Sequence, residues 1–363
     1  MLEKPIAVLG GGNGGHCMAA DLTLAGYQVN FYEHPSFETN FRATLETGKV
    51  ELSGIGRQGE ADINLVTTDM AKAIKNVNLI NIALPAKGHD PFFNEMIPHL
   101  EDGQTVVVWA GDFGSLRLYK LLKEKARKAQ ITIYEANTLP YGTRLVAPAK
   151  VDLLLTTPRI LISALPSKDT GKVLDELKIL YPCLVPGKNV LATAFNNPNP
   201  IIHPPGSLLN TGRIQYSQGN FYMYREGITE AVARVIRAVF DEVSALAKAL
   251  GAEMLQYEDR DFWTTGSIMG VAFQAPFDTL GALADIKGPH TIYDRYITED
   301  LPFGLVPMVE LGRKLGVATP LMEAIVNIGS VVCHENFWET GRTLETLGLA
   351  DLNKEEILKL VEG

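Results

Sequence analysis

Two architectures in tandem are predicted by this 363-residue sequence: an α/β N-terminal half on a mostly parallel sheet, then an all-α C-terminal half. Three observations predict it. Short apolar runs of strand type alternate with helical patterns from Lys4 to about Leu180. A glycine-dense turn, Gly10 to Gly15, joins the first run to the first helix. Beyond Tyr181-Pro182-Cys183-Leu184-Val185-Pro186-Gly187 the alternation stops and long helical periodicities take over. The break divides the chain into domains spanning 1–186 and 187–363.

Lys4 to Leu9 is an apolar run with the length of a buried strand, and His16 to Gly26 carries a helical pattern. Tyr27 to Glu33 reads as a second strand ending in an acid. Further strands are expected at Asp62–Val66, Asn78–Pro85, Gln104–Trp109, Ile131–Glu135, Val151–Thr156 and Arg159–Leu165. Helices are expected at Asp69–Lys75, Pro91–Leu100, Leu116–Ala129 and Asp169–Leu180. Strands separated by helices build a parallel sheet covered on both faces. Ligands of such sheets lie beyond the carboxyl ends of the strands, so the segments after Leu9, Leu84, Trp109 and Glu135 should line a binding crevice.

The strand–turn–helix–strand context turns Gly10-Gly11-Gly12-Asn13-Gly14-Gly15 into a dinucleotide fingerprint of Rossmann type. Gly10 permits the sharp exit from the strand, Gly12 lets a pyrophosphate approach the backbone, and Gly15 lets the helix pack closely. The first N–H groups of the helix attract phosphate. Glu33, roughly 20 residues past the turn, is placed to accept hydrogen bonds from adenosine ribose hydroxyls. A carboxylate there repels a 2′-phosphate, so NAD is favoured; His34 and Arg42 nearby keep NADP open.

A net charge of −9 argues against a nucleic-acid binder and against docking on anionic membranes. No apolar run approaches the roughly 20 residues of a membrane span, and the sequence shows no signal-peptide pattern, so a cytoplasmic location is expected. Cys17, Cys183 and Cys333 form neither a metal spacing nor a disulfide framework. No metal is expected. Cys17, in the first turn of the phosphate-binding helix, is either a favoured thiolate or a small buried side chain.

In the second half, 226–250 is one amphipathic helix ended by Gly251, followed by helices at Met308–Leu315, Leu321–Cys333 and Lys354–Glu362. Two segments there carry chemistry. In Asn196 to Pro204, Asn199 is a good N-cap and Pro200 suits the first helical position. His203 follows one turn later, and Pro204 and Pro205 predict a shaped turn rather than a regular helix. An imidazole titrates nearest neutrality, which suits proton transfer, although a packed structural histidine fits the same pattern. In Asp294 to Pro307, Arg295 offers a two-pronged carboxylate clamp and Asp300 a partner for the imidazole. A solvated polar loop fits that spacing as well. Arg144, Trp109 and the acids Glu258, Asp259 and Asp261 are weaker candidates for contact with a ligand; Lys87 and His89 receive no role.

Several motifs in one order resemble the opine dehydrogenase family, also called the octopine/nopaline dehydrogenase family. They are Val8-Leu9-Gly10-x-Gly12-Asn13-Gly14-Gly15-His16, Asn199…His203-Pro204, Glu226-Gly227-Ile228-Thr229, Arg295-Tyr296-x-x-Glu299-Asp300, Gly304-Leu305-Val306-Pro307, Thr319-Pro320-Leu321 and Gly341-Arg342-Thr343-Leu344-Glu345-x-Leu347-Gly348-Leu349. The resemblance spans nearly the whole chain. It implies a Rossmann-like NAD(P) domain followed by an all-helical domain. It also implies reductive condensation of an amino acid's α-amine with a 2-oxo acid such as pyruvate, an imine intermediate accepting hydride from the nicotinamide.

Carried onto this chain, the resemblance implies that His203 transfers the proton, Asp300 is its partner and Arg295 binds a substrate carboxylate. Asn199 is a weaker contact to substrate or cofactor. Gly10, Gly12, Asn13, Gly14, Gly15 and Glu33 form the cofactor site. The nearest alternative is a 2-oxo acid or ketone reductase of the ketopantoate reductase or glycerol-3-phosphate dehydrogenase type. An NAD-sensing module without turnover is a third reading. A homodimer is left open, and selectivity for the amino donor is assigned to the region 262–290.

Overall fold

The computed structural model describes residues 2–263 and 287–363, so most of the region assigned to donor selectivity lies outside the described residues. The chain divides into two units, Met1–Val190 with Glu362–Gly363, and Leu191–Val361.

In the first unit an eight-stranded sheet has the order β12-β11-β8-β7-β6-β1-β2-β5. Its strands are β1 (Ile6–Leu9), β2 (Val29–Tyr32), β5 (Leu65–Thr67), β6 (Leu79–Ile82), β7 (Thr105–Trp109), β8 (Thr132–Ala136), β11 (Ile160–Leu165) and β12 (Leu184–Pro186). All neighbours are parallel except β8 and β11. From β1 the chain builds outward through β2 to β5, then returns to place β6 on the other side of β1. That reversal is the switch point at which sheets of this kind open a crevice at their carboxyl ends. Alternate residues of β1 feed two cores: Ile6 and Val8 join one, Ala7 and Leu9 the other. Burial on both faces explains why the strand reads as a continuous apolar run.

A four-stranded sheet, β4-β3-β10-β9, accompanies it, with β3 (Lys49–Gly54), β4 (Gly59–Asp62), β9 (Tyr141–Ala147) and β10 (Lys150–Thr156). The run expected as a strand over 151–156 is thus β10, a member of the second sheet. The helix Asn13–Leu24 packs against this sheet as well as against β1 and β2. Its residues from Gly15 to Leu22 are all buried, which explains a sequence apolar on every face. Cys17 is fully buried and its thiol is pushed up to about 12 by desolvation, so it is a packed thiol and not a thiolate. Trp109 is also core: its Nε1 donates to Asn81 Oδ1 at 2.9 Å.

In the second unit the regular elements of the described residues are helical. They include Val190–Phe195, whose first residue closes the first unit, then Asn199–Leu208, Thr211–Tyr216, Glu230–Ala249, Arg295–Thr298, Val306–Leu315, Pro320–Cys333 and Lys354–Glu362. Met223–Gly227 and Asp300–Leu305 are π-type turns. The long helix expected over 226–250 starts at Glu230, where Thr229 accepts from Val232 N–H as its cap.

The shaped turn expected around His203 is a helix instead, Asn199–Leu208, with Pro204 and Pro205 inside it. Each internal proline removes an intrahelical donor and costs about 3 kcal/mol in an isolated helix. Burial offsets this, since every residue from Pro200 to Ser207 is buried. Pro198 holds the cap position and Asn199 is the first helical residue, so Asn199 is not the N-cap.

Candidate functional site

The glycine turn has the geometry the fingerprint requires. Gly10 leaves β1 with φ +115°, a conformation L side chains rarely adopt. A Cβ on Gly15 would lie 1.6 Å from the Gly10 carbonyl oxygen, so helix and turn touch backbone to backbone. In front of Gly12 there is open space, with nothing within 4 Å of a Cβ built there. No side chain caps the N-terminus of the Asn13–Leu24 helix. Uncapped first-turn N–H groups beside open backbone fit a pyrophosphate. The Asn13 side chain faces elsewhere: its Oδ1 accepts from Leu145 N–H of β9 at 2.8 Å.

Glu33 follows β2 and is 7 % exposed. Its Oε2 accepts from Gly11 N–H at 2.6 Å and its Oε1 from His34 N–H at 2.7 Å. The carboxylate thus holds the fingerprint turn. Desolvation lifts its carboxyl to about 7, against the two N–H donors that favour the ionised form. A raised folded-state value means that the ligand-free protein is favoured while Glu33 is protonated. That contribution, of order 3 kcal/mol, is present below pH 4.5 and is lost as pH rises through 7. Glu33→Gln should therefore flatten the fall in melting temperature of the ligand-free protein between these pH values. An unchanged pH dependence would show that Glu33 stays ionised.

In the second unit the His203 ring, 2 % exposed, is held on three sides. Nδ1 lies 2.7 Å from Asp300 Oδ2, Nε2 lies 2.9 Å from the Tyr224 hydroxyl, and Tyr296 stacks on the ring with centroids 3.8 Å apart and planes 4° apart. With the proton on Nδ1, Asp300 accepts and Tyr224 donates to Nε2. Asp300 is presented by the π-type turn. This turn approaches the histidine helix closely because Gly304 has no side chain; a Cβ there would meet Pro200 Cγ at 2.5 Å. Burial, reinforced by Glu299 and opposed by Arg295, raises the Asp300 carboxyl well above the usual range.

Arg295 opens the helix whose second residue is Tyr296, so one short segment supplies the stacking ring, the guanidinium and, five positions after Arg295, the carboxylate. Its side chain is 53 % accessible and one nitrogen pairs with the buried Glu299 at 3.3 Å. Asn199 is half-buried, one turn before His203. Arg144 is exposed on β9 in the first unit and donates to its neighbour's carbonyl, Thr143 O. Glu258 and Asp259 form surface ion pairs with Arg260 and Arg237. Among the described residues no group of His, Cys, Asp and Glu is placed to hold a metal, and no helix is long and apolar enough to cross a membrane.

Sequence reasoning missed the two tyrosines around His203. Tyr296 lay inside a quoted motif beside Arg295. Tyr224 sits in an irregular turn whose sequence carries no periodic signal.

A Rossmann-type unit with an uncapped glycine turn, followed by a helical unit with a buried imidazole–carboxylate pair, defines a two-domain NAD(P)-dependent dehydrogenase. Residues 186–333 match the family described as NAD/NADP octopine/nopaline dehydrogenase, alpha-helical domain. An opine dehydrogenase of Arthrobacter sp. (strain 1C) is 32 % identical over 364 residues, covering 100 % of both chains. A solved structure of octopine dehydrogenase with NADH and L-arginine superposes with TM-score 0.71 at 21 % identity, covering 98 % of this chain and 97 % of that one. Yersinopine dehydrogenase with NADP+ bound gives TM-score 0.69 at 14 % identity, covering 99 % and 97 %. The chain belongs to the opine dehydrogenase family.

Proposed function

We propose that this chain joins the α-amine of an amino acid to a 2-oxo acid such as pyruvate, reductively and reversibly, using NADH or NADPH, with His203 as its proton-transfer group. The observation that carries the reading is the buried His203–Asp300 contact at 2.7 Å, in a chain of the opine dehydrogenase family. The bound dinucleotide supplies or accepts the hydride.

The protein's own side chains do the rest. Gly10, Gly12, Gly14 and Gly15, with the N–H groups from Asn13 onward, seat the pyrophosphate, and Glu33 reads the adenosine ribose. Asp300 fixes the tautomer of His203 and stabilises its protonated form. Protonated His203 delivers the proton needed when water leaves the amine–carbonyl adduct. Arg295, whose side chain is accessible and pairs through one nitrogen with Glu299, clamps a substrate carboxylate; Asn199 and Arg144 are secondary contacts.

The experiment is an NADH-oxidation assay with pyruvate and related 2-oxo acids, each alone and with a panel of amino acids, repeated with NADPH. Turnover that requires both amine and oxo acid is expected. Full-rate reduction of the oxo acid alone would replace this reading by a simple ketone reductase. Arg295→Lys turns the two-pronged clamp into a point charge and should raise KM for the carboxylate substrate roughly tenfold. Unchanged kinetics with every acid tested would remove Arg295 from the site.

A further inference from the structure

The nitrogen of His203 that acid–base chemistry would use is already bonded. Nδ1 belongs to Asp300, Tyr296 covers a face of the ring, and Nε2 meets the hydroxyl of Tyr224, itself 5 % exposed. The atom that meets Nε2 is therefore a phenolic oxygen. We propose that Tyr224 is a proton-relay residue, through whose hydroxyl His203 Nε2 exchanges its proton with the reactants. This rests on the reading of the His203 site given above.

In the condensing direction, Tyr224 O–H gives its proton to the hydroxyl of the amine–carbonyl adduct while His203 Nε2–H passes its proton to the Tyr224 oxygen. The adduct's C–O bond breaks, its electron pair leaves with water, and the nitrogen lone pair forms the C=N bond. His203 ends neutral, with Nδ1–H still donating to Asp300. The reverse direction runs the same two transfers backwards. No other reactant is consumed.

The surroundings suit a relay. Burial, together with Tyr296, which also hydrogen-bonds the Tyr224 side chain, holds the phenol protonated at neutral pH, so it is a standing donor. Arg295 acts on the same phenol in the opposite sense, which brings the hydroxyl within the field of the proposed carboxylate clamp. The charged groups acting on Asp300 are Glu299, Arg295 and Asp294. On the Met223–Gly227 turn, Arg225 lies over the Tyr222 ring and Glu226 pairs with Arg213. The neighbouring helices Thr211–Tyr216, Glu230–Ala249 and Pro320–Cys333 bury apolar side chains.

The test is Tyr224→Phe, which keeps the ring and removes the hydroxyl. With whichever acceptor the wild-type enzyme reduces, single-turnover rate should fall about a hundredfold while NADH affinity and KM stay unchanged. Rates of the wild type in mixed H2O and D2O should bow, as two protons in flight require, and those of the variant should be linear. An equal or faster rate in the variant, or a linear wild-type plot, overturns the relay. Independently of turnover, the 15N signal of His203 Nε2 should move downfield in Tyr224→Phe as its hydrogen bond is lost. An unmoved signal removes the contact and the relay with it. A requirement for amine in the wild type tests the condensation reading separately, so the two failures are distinguishable.

Discussion

His203→Gln should lower turnover by about two to four orders of magnitude while leaving NADH binding intact. The size follows from what general acid–base catalysis contributes when its group is removed. Glutamine is chosen because Asp300 is buried at 3 % exposure and its carboxyl needs a donor. The flexible glutamine side chain carries an amide N–H that can turn towards the carboxylate, so the helical unit keeps a donor for it. Leucine would leave the carboxyl uncompensated, and breaking a buried pair of this kind costs about 3–5 kcal/mol. The two variants therefore separate chemistry from folding: glutamine should give a folded, inactive protein, and leucine a destabilised one. NADH fluorescence titration beside steady-state rates provides the measurement. If glutamine abolished cofactor binding together with turnover, His203 would be a structural residue.

Legibility in the sequence followed the range of the interactions involved. The glycine turn is local: strand exit, open backbone and helix start lie within six consecutive residues, and the flanking strand and helix patterns make their spacing readable. The parallel sheet was legible because its strands are buried on both faces and read as uninterrupted apolar runs. The second sheet was not, apart from β10. β3 alternates exposed and buried residues as Lys49-Val50-Glu51-Leu52, a period-two pattern within a stretch rich in charge and glycine. β9 ends in exposed residues and offers little apolar signal.

Around His203 the prolines pointed away from a helix, because local backbone cost is visible in a sequence and tertiary burial is not. The contact of His203 with Asp300 spans 97 positions; residue chemistry offered the pairing beside a solvated-loop reading, and the resemblance decided between them. Tyr224 escaped because its role depends on where a π-type turn aims a hydroxyl, which no periodicity encodes.

The second large effect is expected at the glycine turn, where two substitutions of the same size should part ways. Gly15→Ala places a methyl 1.6 Å from the Gly10 carbonyl oxygen and 2.9 Å from its carbon. Neither atom belongs to a flexible side chain, so the helix must lift off the turn. Overpacking of this kind costs about 3 kcal/mol, which lowers the melting temperature of the first unit by roughly 5–10 °C. The displaced helix start also carries the N–H groups proposed to hold the pyrophosphate, so NADH affinity should fall with stability, by more than about tenfold. Gly12→Ala adds the same methyl where nothing lies within 4 Å. The ligand-free protein should therefore melt as the wild type does, yet bind NADH far more weakly, because the methyl occupies the space the phosphates need. Thermal melts and NADH titrations of the two variants, side by side, make the comparison. Wild-type NADH affinity in Gly12→Ala would mean that no phosphate approaches this backbone, and the cofactor would have to be sought elsewhere on the sheet.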